Sequence, residues 1–174
     1  AKFFYDEDLK VDLEVFRERL ASVGFQQKLG TVLQKSDRME DLALAIAREA
    51  HLGAHAASSA QRAAHLAKAD LVSSAVVEFT SQQGVMGGYY ATAAGEEPEV
   101  AAAIRDHYRP RFAGDDLPEG IAGCIVLTGT DLSAGRAVGI TACVAASLLQ
   151  ASDAANKMWP NIGTLPIPLV ILIV

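Results

Sequence analysis

The chain has 174 residues, 51% of them hydrophobic but only 6% aromatic, and a formal charge of −6. That length suffices for one domain with a single core, and abundant alanine with few aromatics favours close-packed helices over a sheet. The acidic balance excludes nucleic-acid binding by the molecule as a whole and leaves room only for a local basic patch.

The start, AKFFYDEDLK, has no apolar signal core and no initiator Met, which fits a segment of a longer chain. Leu9, Leu13, Phe16 and Leu20 then stand at helical spacing, with Gly24 as the stop. QQKLGTVLQK bridges to a second helix, opened by Asp37 and Glu40 as a capping box. Met39, Leu42 and Ile46 form its inner stripe and Gly53 ends it.

Ser58 and Gln61 fit a second capping box and predict a long helix to about Phe79. Ala63, Leu66, Ala67, Asp70 and Val77 share one face of it, so Asp70 points inward, while His65 and Lys68 point to solvent. TSQQGVMGGYYATAAG reads as a turn in which Gly84, Gly87 and Gly88 let the chain fold back, with Met86 and one tyrosine plugging the core. Pro98, amid acids, opens a further helix with Val100, Ala101, Ile104 and Tyr108 inside, and Pro110 ends it.

The pattern is all-α to residue 118. Beyond it the periodicity blurs, with a helix expected at about 137–152. The last ten residues, LPIPLVILIV, are too short to cross a bilayer and read as a buried strand or a packing segment. Cys124 and Cys143 share no CxxC spacing and read as reduced, buried thiols of a cytoplasmic protein.

Few residues announce chemistry. His51 and His55 have the i, i+4 spacing of a chelate, but no HExxH pattern accompanies them, and surface positions are expected. His107 is likewise expected in solvent. Neither GxGxxG nor a Walker ending is present. RDHYRPRF concentrates Arg105, Arg109 and Arg111 against the acidic background, interleaved with Tyr108 and Phe112. Arginine forks suit phosphate, and Arg62 and Lys68, on one exposed side of the long helix, extend the patch. An equal reading is a solvated face pairing with AGDDLP downstream. Tyr89 or Tyr90 offers a ring for a base.

FFYDEDLKVDLE, VGFQQKLGTVLQKSDRMEDLA, KADLVSSAVVEFTSQQGVMGGYYA and VAAAIRDHYRPRFAGDDLP, in that order, resemble the bacterial glycyl-tRNA synthetase β subunit from about residue 3 to 118. The resemblance implies an HD-like helical bundle for residues 1–118, from the middle of a longer subunit, continued by 119–174. It implies an α2β2 ligase in the cytoplasm that joins glycine to tRNA(Gly), with ATP and Mg used through the α subunit. The β subunit would support tRNA binding and assembly, making Arg62, Lys68, Arg105, Arg109 and Arg111 its tRNA-binding candidates.

An HD hydrolase needs imidazoles and aspartates around one or two metal ions. At the corresponding pair this chain reads Ala69-Asp70, and the first histidine position falls near Arg38, which cannot ligate a cation. The resemblance therefore implies a metal site that has degenerated: no metal, no catalytic residue, and Asp70 as a structural acid, hydrogen-bonded or paired with an arginine from the facing helix. A working HD phosphohydrolase and a purely structural scaffold stay open as alternatives. After AGDDLP the similarity stops within a few residues. Asp131 is the candidate last acid, and either a diverged tail or a shifted reading frame accounts for the break.

Overall fold

A computed structural model describes residues 2–112, 114–118 and 120–130. The expected helix at 137–152, the apolar terminus, Asp131 and Cys143 lie outside the described residues, as does the side chain of Cys124.

The first expected helix is two: α1 (Lys2–Asp8) and α2 (Leu13–Arg19), followed by a 3₁₀ turn, Leu20–Ser22. The break has a local cause. Asp12 accepts the Glu14 N–H at 2.9 Å and so starts a new helix instead of continuing the old one. Leu13, Phe16 and Leu20 are buried as their spacing predicts, whereas Leu9, in the break, is exposed.

The stretch that was to bridge two helices is an antiparallel hairpin, β1 (Gly24–Gln26) with β2 (Gly30–Thr31), pairing Gly24 with Thr31 and Gln26 with Gly30. The all-α expectation holds, with this short two-stranded hairpin as its one departure among the described residues. Gln26 builds the loop, its Oε1 accepting the N–H groups of Lys28 and Leu29 at 2.8 and 3.0 Å. α3 (Val32–Glu49) starts there, because the operative capping box is Thr31 with Gln34 and not Asp37 with Glu40. Gly30, at φ +82°, favours glycine, and a Cβ there would also displace the Gln34 side chain of the capping box, falling 1.6 Å from its Oε1.

α4 (Ala54–Leu66) is capped at Gly53, five residues before the expected Ser58, and it does not run to Phe79. A 3₁₀ turn (Ala69–Val72) and the short α5 (Ser74–Glu78) replace its second half, with Ser73 capping α5 through the Val76 N–H. Val77, expected inside, is consequently 66% exposed. The presumed glycine turn is itself helical, α6 (Val85–Ala93). α7 (Pro98–Asp106) has Pro98 in its first turn but stops four residues before Pro110, and α8 (Gly120–Thr130) packs on α3, α4 and α7.

The core explains the alanines. Ala43 and Ala47 of α3 meet Ala60, Ala63, Ala64 and Leu66 of α4, and Ala103 and Ile104 of α7 join them. Small side chains let these rods approach closely, so dispersion contacts accumulate without large residues. Among the described residues no helix is long and apolar enough to cross a membrane.

Candidate functional site

Asp70 is fully buried, as its inward face predicts, but it reaches the interior from the 3₁₀ turn and not from a helix. Its Oδ2 accepts the N–H groups of Gly84 at 2.6 Å and Gly87 at 3.0 Å. Gly84 is the N-cap of α6 and Gly87 its third residue, so Asp70 supplies from a distant turn what a capping side chain supplies locally. Backbone donors, not an arginine, are its partners.

The glycines make that possible. Gly84 has φ +80°, and a Cβ on Gly87 would lie 2.9 Å from Ile104 Cγ2 and 3.1 Å from Asp70 Oδ2. One on Gly88 would lie 2.8 Å from Arg105 Cβ, so α6 rides against α7 with no room for a methyl group. Tyr90 plugs the core, with Met86 packed against it, and Tyr89 faces outward.

Burial pushes the Asp70 carboxyl up to about 6, against the opposing pull of the two glycine amides and the Lys68 ammonium. Among the described residues Oδ1 has no hydrogen-bond partner.

Lys68 corrects the sequence reading: it is 4% exposed, not solvated. Its Nζ lies 3.0 Å from His107 Nε2 and 3.8 Å from the centre of the Tyr108 ring. His107, expected at the surface, is fully buried, with Nδ1 2.5 Å from the Ile104 carbonyl. Burial, then the nearby ammonium, hold it well below the ordinary histidine range. The neutral ring therefore donates from Nδ1 to Ile104 and accepts from Lys68 at Nε2.

This cluster does not fit a divalent ion. Ala69 offers no ligand atom, the His107 lone pair is taken by an ammonium, and Asp70 Oδ2 is taken by two amides. Among the described residues no three His, Cys, Asp or Glu side chains converge as ligands. His51 lies in the turn after α3 and His55 in α4, so they present no common helix face.

The remaining arginine candidates are divided among separate carboxylates. Arg105 grips the buried Asp106 at 2.7 and 2.9 Å, and Arg109 Nε approaches the same group at 3.4 Å. Arg111 pairs with Asp115 at 3.1 Å, as the reading of a self-paired basic face expects. Arg62 stands elsewhere, forked onto Glu96 at 2.5 and 3.1 Å and bound to Glu14 at 2.5 Å. In that network His65 bridges Glu40 at 2.7 Å and Glu14 at 3.1 Å, which corrects its expected solvation.

One bracing side chain escaped the sequence reading. Asp8 accepts the N–H groups of Ser74 and Ala75, each at 2.9 Å, and the Tyr90 hydroxyl at 2.7 Å. Its signal was faint: the last acid before a break in helical periodicity.

The family model described as Glycyl-tRNA synthetase beta subunit matches residues 1–132. Relatives named glycine–tRNA ligase beta subunit are 47% identical in Syntrophomonas wolfei over 126 residues, 49% in Neisseria gonorrhoeae over 128, and 50% in Actinobacillus pleuropneumoniae serotype 7 over 126. These alignments cover 72–73% of this chain and 18% of each relative, so the chain spans about a fifth of the proteins it matches. With three quarters of its length inside the family model, the chain belongs to the glycyl-tRNA synthetase beta subunit family.

Proposed function

We propose that this chain is a non-catalytic helical module of a glycine–tRNA ligase β subunit, an HD-like bundle whose metal site has degenerated. It supports tRNA(Gly) binding and assembly with the α subunit in an α2β2 enzyme of the cytoplasm. ATP and Mg serve glycine activation through the α subunit, and the module itself binds neither.

The observation that carries this reading is the family match over residues 1–132 joined to the fate of the polar interior. Asp8 and Asp70 cap helices, His107 receives an ammonium, and Asp106 collects two arginines. Groups used up in this way brace a scaffold and are poorly placed to move protons.

The test is the intact ligase with Asp70→Ala in this module. Glycine-dependent pyrophosphate exchange is expected to persist, while tRNA charging falls together with tRNA affinity or with α-subunit association. A stoichiometric transition metal with phosphatase activity in the purified protein would replace this reading with a hydrolase.

A further inference from the structure

We propose that the β1–β2 hairpin and the first turns of α3 form a docking surface for the phosphate backbone of RNA. The inference rests on the tRNA-ligase reading above and relocates its basic surface.

Residues 17–38 hold five cations, Arg17, Arg19, Lys28, Lys35 and Arg38, against two carboxylates, Glu18 and Asp37. No acid occurs from 20 to 36, in a chain whose overall charge is −6. Arg17 neutralises Asp37 directly. Lys28, Arg19 and Arg38 are exposed, and among the described residues none of the three forms an ion pair. Arg105, Arg109 and Arg111 differ in kind, because Asp106 and Asp115 already offset their charge.

The cations stand on a built frame. Gln26 holds the loop amides, and Arg38 Nη1 donates to the Leu29 carbonyl at 3.1 Å, which ties α3 to the hairpin tip. The Lys35 ammonium lies 4.4 Å from the centre of the Phe25 ring. Between hairpin and helix runs a groove of about 580 Å³ lined by Gln27, Lys28, Gln34, Arg38 and also Asp37, whose charge Arg17 offsets. Two cations flanked by carboxamides suit phosphate and sugar oxygens, which position a nucleic acid without reading its sequence. Leu29 is the one large apolar side chain of this groove, which disfavours a protein partner.

The experiment titrates the intact ligase with glycine tRNA transcript over a salt series. It compares the parent with Lys28→Gln/Arg38→Gln, with Arg105→Gln/Arg109→Gln, and with Arg48→Gln at the exposed far end of α3. The hairpin variant is expected to bind more weakly, and its slope of log affinity against log salt to shrink by about 1.4 to 1.8, the loss of two phosphate contacts. Arg48→Gln should match the parent. A parent-like slope in the hairpin variant, with weakened binding only in the Arg105/Arg109 variant, overturns the hairpin surface and leaves the tRNA reading standing. Unchanged affinity in both double variants overturns both. Lost subunit association, with tRNA affinity intact in the enzyme that does assemble, assigns the surface to a protein and overturns the inference.

Discussion

Replacing Asp70 with alanine strands the amide protons of Gly84 and Gly87 inside the protein, where they now meet one carboxylate oxygen. Each buried donor without an acceptor costs about 1–3 kcal/mol, so the variant should lose about 2–6 kcal/mol, a large share of the ~5–15 kcal/mol of an ordinary domain. Asparagine keeps an acceptor at the same place and separates the cap from the charge. The charge has its own signature. Burial raises the carboxyl to about 6 from an ordinary 3.8, so the folded state binds the proton more tightly than the unfolded one. The contribution of this group is therefore most favourable below about pH 4 and is lost as pH rises to about 6. A shift of about two units corresponds to ~3 kcal/mol. Urea unfolding of the parent, Asp70→Asn and Asp70→Ala between pH 4 and 7.5 measures both effects. Alanine should lie below asparagine at every pH, and the parent's advantage over asparagine should shrink by up to ~3 kcal/mol as pH rises. Equal midpoints for alanine and asparagine would refute the capping argument, and a parent–asparagine difference that ignores pH would refute the burial argument.

Gly87→Ala and Gly88→Ala each push a methyl group to within 3 Å of Ile104 or Arg105. Thermal unfolding should show a loss of about 1–3 kcal/mol from overpacking, despite the ~1 kcal/mol that alanine gains in a helix. Thr31→Ala removes one half of the α3 capping box and should cost about 0.5–2 kcal/mol, read as faster hydrogen exchange at the Gln34 amide. For Asp8, burial raises the carboxyl, but the Ala75 amide, the Tyr90 hydroxyl and the Ser74 amide together outweigh it and hold the group below its ordinary range. Its contribution is present above pH ~4 and lost as pH falls. Tyr90→Phe should therefore cost about 1 kcal/mol at pH 7 and less in acid, in a denaturant series compared at the two pH values.

The inner faces were legible in large part, although Leu42 and Ile46 of α3 are only half-buried. Leu13, Phe16, Leu20, Met39, Val100 and Ile104 are buried as their spacing requires. Where the pattern misled, short polar side chains had overridden it. Asp12 and Ser73 stop continuing helices by capping new ones, and Gln26 stabilises a loop inside a stretch too polar to look like a hairpin. The buried state of Lys68 and His107 was not legible, because each meets a partner in the other and they lie 39 residues apart. A periodicity argument sees one segment at a time and cannot register that partnership.

The two capping aspartates show what makes a buried acid a brace. Asp8 places three donors on two oxygens, and its negative charge is the form those donors prefer. Asp70 places two donors on one oxygen and none on the other, so its charge is only half compensated. Both tie a helix start to a distant segment: Asp8 joins α1 to α5, and Asp70 joins the 3₁₀ turn to α6. Local caps such as Thr31 hold a helix together but say nothing about where it lies. A cap supplied from another element fixes position as well, because the carboxylate must arrive within hydrogen-bond reach of amides on both sides of one turn. In a core built largely of alanine, where side-chain shape specifies little, that directional constraint sets the register between rods.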